Sequence, residues 1–180
     1  MTEELNLVTQ LKSKSNKEAA FRELLILYKE RLYWHIRDIV KSHEDTDDVL
    51  QNTFIKIYKN IDNFKGDSKL FSWMYRIATN ESLTFLNKKA RQLQITNEAV
   101  KQLAISNLKS DVYFDGDAIQ LKLQKAIIML PEKQQLVFTM KYFQDLKYKE
   151  ISEILETSEG ALKASYHIAV KKIETYLLNN

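Results

Sequence analysis

Residues 64–91 read FKGDSKLFSWMYRIATNESLTFLNKKAR, and the periodicity of this stretch decides the fold. Gly66 signals a turn, after which Asp67 or Ser68 is placed to cap a helix. Leu70, Met74, Ile77, Ala78 and Phe85 then recur at helical spacing, which puts them on one core-facing side. Arg76, Asn80, Thr84 and Lys88 follow at steps of four and form a polar stripe, closed at its end by Lys89 and Arg91. Six basic residues stand against two acidic ones, a balance that suits an anionic partner. Phe71, Trp73 and Tyr75 at the helix start offer rings on which bases can stack. The competing reading of the same stretch is an amphipathic surface helix with Trp73 simply in the core.

Composition narrows the class. At 180 residues, with 44% hydrophobic and 28% charged, the chain has enough apolar material for one large or two small globular domains. Three glycines and one proline favour an all-helical protein. The absence of cysteine excludes disulfides, thiolate metal sites and cysteine nucleophiles. No apolar run is long enough to span a bilayer, and MTEELNLVTQ lacks the basic start and apolar core of a signal peptide, so a cytoplasmic protein is expected. A net charge of +3 does not by itself establish nucleic-acid binding, so the distribution of charge has to carry that argument.

Before the central stretch, Ser15 and Glu18 have capping-box spacing and open a helical pattern to about Ser42, with Ala20, Phe21, Leu24, Leu25, Tyr28, Leu32, Ile36 and Ile39 on its apolar face. HEDTDD then sets four carboxylates where the dipole of a following helix favours them. That helix reaches about Ile61 and buries Val49, Leu50, Phe54, Ile57 and Ile61, leaving Asp48, Gln51, Asn52, Lys56 and Lys59 outside. The pattern weakens over residues 92–117, read as a slightly acidic interdomain linker with room for a weak helix at 96–108 and with Asp111, Asp115, Gly116 and Asp117 near its end. Apolar periodicity returns over 118–130. Pro131 fits the first position of the next helix, to about Phe143. Residues 147–155, a short turn and a helix capped by Ser158 and running to about Leu178 give a helix-turn-helix outline, with Lys163, His167, Lys171 and Lys172 on the second helix. An ordinary helical hairpin fits that outline equally well.

Two segments taken together resemble the sigma-70 family of bacterial transcription initiation factors, in its extracytoplasmic-function (ECF) group. DDVLQNTFIKIYKNIDNF with the stretch quoted above is similar to the family's second conserved region, and LPEKQQLVFTMKYFQDLKYKEISEILETSEGALKASYHIAVKKIETYL to its fourth. The resemblance implies two all-α domains, 1–91 and 118–180, joined by a flexible linker at 92–117, the second being a helix-turn-helix. It also implies that Asp48, Gln51 and Asn52 dock on core RNA polymerase, Asn52 standing where an acidic residue is usual. Promoter −10 recognition and melting would then fall to Lys65, Asp67, Ser68, Lys69, Arg76, Asn80, Lys88, Lys89 and Arg91, with the loop 65–69 and Asn80 holding an extruded base and the cations holding phosphates.

By the same resemblance, the −35 element would be read by Ser158, Gly160, Lys163, His167, Lys171 and Lys172. GALKASYHIAV, residues 160–170, keeps the family's Lys163, His167 and Ala169, but has Ser165, Ile168 and Val170 where arginines are typical. Glu156 occupies a turn position where glycine is frequent. The partners implied are core polymerase, promoter DNA and an anti-sigma factor, with no metal or cofactor. An enzyme finds little support, because His35, His43 and His167 are scattered and no acid-base constellation or glycine-rich phosphate loop is present. The rivals are a helix-turn-helix regulator that is not a polymerase subunit, including a response regulator, and a helical adaptor that binds protein only.

Overall fold

The computed structural model describes residues 2–108 and 118–179, which form nine α-helices and one 3-10 turn without a strand. The acidic end of the linker, from Asp111 to Asp117, lies outside the described residues.

The front half is built from α1 (Thr2–Lys12), α2 (Lys17–Val40), α3 (His43–Asn60) and α4 (Leu70–Gln92). Helix α1 was not foreseen from the sequence, although Leu7 and Leu11, one turn apart, are both buried against the core. The apolar faces of α2, α3 and α4 meet as their spacing requires: Leu24, Leu32, Ile36, Ile57, Ile61, Leu70 and Met74 are all fully enclosed. Helix α3 starts on Ser42, whose Oγ accepts from the Asp45 N–H at 3.4 Å, and carries Glu44 and Asp45 in its first turn.

Two expected caps are not formed. Asn16, not Ser15, precedes α2 and makes no side-chain cap, while Ser15 Oγ is turned to Ser13 Oγ at 3.1 Å. Helix α4 begins one residue beyond the predicted caps, after Lys69, and its open N-terminus is closed from a distance: Glu4 Oε1 on α1 accepts from the Leu70 N–H at 2.5 Å. A carboxylate there satisfies an orphan donor and the positive end of the helix dipole together. Gly66 does mark the turn, at φ +84°.

The linker contains α5 (Asn97–Leu108), so the weak helix in that stretch is real. The back half comprises α6 (Ala118–Ile128), α7 (Glu132–Tyr142), α8 (Tyr148–Leu155) and α9 (Glu159–Asn179), with Pro131 one residue earlier than expected, at the cap of α7. Ser158 Oγ accepts from the Ala161 N–H at 3.4 Å and caps α9. In the turn between α8 and α9, Glu156 is left-handed at φ +51°, a conformation that disfavours a side-chain-bearing residue by about 1 kcal/mol relative to glycine.

The two halves do not stand apart on the linker. Val137, Met140, Leu146, Ile151, Ile154 and Leu162 join the hydrophobic cluster of α2 and α4, and a second, smaller cluster lies between α6, α7 and α9. Apolar burial of this kind stabilises by about 25 cal/mol per Å2, so residues such as Ile151 and Ile154 are expected to contribute more to the docking than the ion pairs around them.

Candidate nucleic-acid interface

Asp48, Gln51 and Asn52 are all exposed on the outer face of α3, with Ile55 beside them 45% exposed. Lys56 on the same face is held by Glu81 of α4. The expected outer face of this helix is therefore open to a partner.

The polar stripe of α4 is divided by the docking of the back half. Asn80, Thr84, Lys88 and Arg91 are exposed, as are Lys65 and Asp67 in the preceding loop, while Ser68 is half-buried. Two cations face α8 instead. Lys69 Nζ lies 2.8 Å from Glu150 Oε1, and Arg76 Nη1 lies 2.7 Å from Glu156 Oε1. Arg76 also donates through Nε to the Glu153 carbonyl oxygen at 3.0 Å, and through Nη2 to the same atom. Lys69, just before α4, meets Glu150 near the start of α8, and Arg76, farther along α4, meets Glu153 and Glu156 at its end, so the two helices run side by side in the same direction.

The hydrogen bond and nearby charge of Glu150 raise the Lys69 ammonium above its ordinary range. Burial would raise the Glu150 carboxyl, but the hydrogen bonds from Lys69 and the Lys147 N–H outweigh it and hold the group below the ordinary glutamate range. Lys89 is engaged elsewhere, 2.5 Å from Asp45 in the acidic first turn of α3.

Three expectations about base contacts change. Phe71 and Tyr75 are buried, 8% and 4% exposed, against α2, where Arg31 lies over the Phe71 ring and the Tyr75 hydroxyl donates to the Arg31 carbonyl. They are core rings, not stacking platforms; Trp73 is half-buried with its ring 5.4 Å from Phe64. The loop 65–69 and Asn80 are not brought together either, because ten helical residues separate Leu70 from Asn80 by about 15 Å. Asn80 instead lines a cleft of about 170 Å3 with Arg76, Glu156, Thr157 and Ser165, between α4 and the helix-turn-helix.

On α9, Ser158, Gly160, Lys163, His167, Lys171 and Lys172 are all exposed. Lys163 Nζ lies 5.7 Å from the centre of the Tyr148 ring. Of the three positions lacking arginine, only Ile168 is exposed, at 45%. Ser165 turns into the cleft with Arg76, and Val170 packs on the smaller hydrophobic cluster.

An all-helical chain with exposed lysines on the second helix of a helix-turn-helix and a second cationic helix in its other half has the outline of a duplex-binding protein. Comparison with known proteins makes the class specific. The profile of sigma-70 region 2 matches residues 24–92, and that of sigma-70, region 4, matches residues 120–173. The ECF RNA polymerase sigma factor SigW of Bacillus subtilis is 31% identical over 86% of this chain and 87% of its own length. The RNA polymerase sigma-H factor of Pseudomonas aeruginosa is 26% identical over 88% and 86%. Among solved structures, CnrH in complex with the cytosolic domain of CnrY aligns over 98% of both chains with a TM-score of 0.69, at 19% identity. The sigma factor RpoE in complex with the anti-sigma factor NepR from Bartonella quintana aligns over 87% of this chain and 96% of its own, with a TM-score of 0.66 and 19% identity.

The chain belongs to the sigma-70 family and to its ECF group. It is a promoter-directing sigma factor, with core RNA polymerase and promoter DNA as its partners. Sigma factors are initiation factors, not catalysts. Among the described residues no helix is long and apolar enough to cross a membrane.

Proposed function

We propose that this sigma factor works with three separate surfaces, and that the arrangement described above is its closed, resting form. Asp48, Gln51 and Asn52 on α3 bind core polymerase. Lys65, Asp67, Ser68, Lys69, Arg76, Asn80, Lys88, Lys89 and Arg91 serve the −10 element, and the exposed residues of α9 serve the −35 element. The observation that carries this reading is the unequal availability of the three: the α3 and α9 faces are open, whereas Lys69 and Arg76 are engaged by Glu150, Glu153 and Glu156 of the back half. Phosphates must displace those carboxylates, and Arg76, held by three hydrogen bonds to Glu153 and Glu156, is freed only when α8 moves away from α4. Binding to polymerase supplies new surfaces for the apolar face that parting would expose, and so drives the opening.

The protein acts in the cytoplasm, without catalysis or a cofactor of its own. An anti-sigma factor is a further expected partner, in keeping with the complexes in which the similar structures were determined.

Asp48→Ala combined with Gln51→Ala tests the polymerase face. At about 1 kcal/mol for each truncated interface contact, core affinity should fall roughly thirtyfold. Both side chains are exposed, so the melting temperature should stay within a degree or two of the parent, and unchanged affinity for core would place the interface elsewhere.

Ile168→Arg tests the −35 face. An exposed arginine there should steepen the dependence of log affinity on log salt for a −35 duplex by about 0.9, with stability changed by no more than about 0.5 kcal/mol. An unaltered slope would mean that this edge of α9 does not meet the backbone of the duplex.

A further inference from the structure

A hollow of about 430 Å3 opens where the end of α2, the end of α4, linker helix α5 and the start of α7 come together. Its size is that of a small-molecule site. Leu83, Leu86, Leu103, Ile128 and Leu136 give it apolar walls, contributed by the front half, the linker and the back half.

One charged group at its edge is not accounted for by folding. Lys41, only 6% exposed, directly follows α2 in the left-handed region at φ +61°, where glycine is the usual residue. Its ammonium has one hydrogen bond, to the neutral Gln124 Oε1 at 3.4 Å, and no carboxylate within ion-pair distance among the described residues. Burial accordingly lowers its pKa, opposed by the charge of Asp38 and helped by that of Arg37. A buried cation costs stability unless something pairs with it.

The other charged groups of the hollow are occupied or face outward. Lys89 and Asp45 neutralise each other, and Lys101 donates to the Leu130 carbonyl oxygen at 3.2 Å with Glu98 3.9 Å away. Asp38 accepts from Gln144 Nε2 at 3.0 Å, and Glu132 is exposed in the first turn of α7.

We propose that the hollow binds a small amphipathic carboxylate, its apolar body between Leu83, Leu86, Leu103 and Leu136 and its head accepting from the Lys41 ammonium. The head supplies the missing charged partner for that group, and the body fills space that water occupies poorly. Because all three parts of the chain line the site, the ligand binds the closed arrangement better than an opened one. Occupancy therefore holds the halves together. This last consequence rests on the resting-state reading given above; the binding itself does not.

Calorimetric titration of the full chain with octanoate, set beside octanamide as its uncharged counterpart, tests the site. Octanoate should bind one per chain and raise the melting temperature. Octanamide should bind at least about tenfold more weakly, as should octanoate to Lys41→Met, which keeps the volume of the side chain and removes its charge. Ala104→Phe, filling the hollow from α5, should weaken octanoate and octanamide alike, and it decides the matter if Lys41→Met fails to fold. No octanoate binding at millimolar concentration, equal affinity for octanoate and octanamide, or binding indifferent to Ala104→Phe would each overturn the proposal. Octanoate that binds as stated yet leaves core-polymerase affinity unchanged would overturn only the coupling to closure.

Discussion

Tying α4 to α8 should switch this sigma factor off. The chain contains no cysteine, so Lys69→Cys with Glu150→Cys introduces two unique thiols at the ends of an ion pair whose charged atoms are 2.8 Å apart. A short bis-maleimide that bridges them prevents α8 from leaving α4. Promoter-specific initiation by the bridged protein should then fall at least about tenfold below that of the unbridged double variant, because a covalent tether removes the open population that polymerase captures. The unbridged double variant is the reference because Lys69→Cys also takes one cation from the −10 surface. An exposed pair of this kind stabilises by about 0–1 kcal/mol, so its loss shifts closure little and the effect of the bridge is large. Initiation by the bridged protein equal to that of the unbridged double variant would show that the docked arrangement is itself competent, and that Arg76 is not needed free.

The residues that close the molecule are also those that sequence could not supply. Local order was legible because it is written in local spacing: the apolar faces of α2, α3 and α4 fall where steps of three and four place them, and the turn at Gly66 and the cap at Ser158 follow from backbone chemistry. Glu156, at the turn position where the resemblance makes glycine frequent, is left-handed. What failed was whatever depended on a partner distant in the chain. Ser15 and Glu18 have capping-box spacing, yet Ser13 takes the serine; Asp67 and Ser68 precede α4, yet Glu4 caps it from sixty-six residues away.

Phe71 and Tyr75 illustrate the same limit. An aromatic at the start of a basic helix reads equally as a stacking ring or as core, and only the arrival of Arg31 from α2 decides it. Arg76 is the fullest case. Its place in the polar stripe was correct, but its engagement by Glu153 and Glu156 depends on how two halves meet, which no periodicity encodes. Leu7 and Leu11, one turn apart among good helix formers, were a readable signal for α1.

Acid should destabilise the protein through one side chain in particular. His35 is buried in α2, with Nδ1 3.1 Å from Gln144 Oε1 and Nε2 2.8 Å from Thr79 Oγ1, while Gln144 Nε2 donates to Asp38 at 3.0 Å. A neutral ring fits with Nδ1–H donating to Gln144 Oε1, while Nε2 and the Tyr75 carbonyl oxygen, each 2.8 Å from Thr79 Oγ1, share the single proton of that hydroxyl. Burial disfavours the imidazolium and lowers the His35 pKa from 6.5 to about 4, against the opposing pull of Gln144 and Asp38. Between those values the unfolded chain holds a proton that the folded chain refuses, so stability rises with pH across the window and is lost as pH falls through it. At about 1.4 kcal/mol per pH unit, the loss from pH 7 to pH 4 amounts to about 3 kcal/mol, a large part of the stability of an ordinary domain. Glu150, held below the ordinary glutamate range, adds to the loss only toward the acid end. Urea melts of the parent and of His35→Gln at pH 7.5, 6, 5 and 4 separate the two contributions. The variant should begin less stable, because it cannot reproduce both bonds, but should lose less between pH 6 and 5, with a slope flatter by about 1 kcal/mol per unit. Parallel profiles in the two proteins would mean that the folded chain admits the proton, and with it water, to the space between His35 and Gln144.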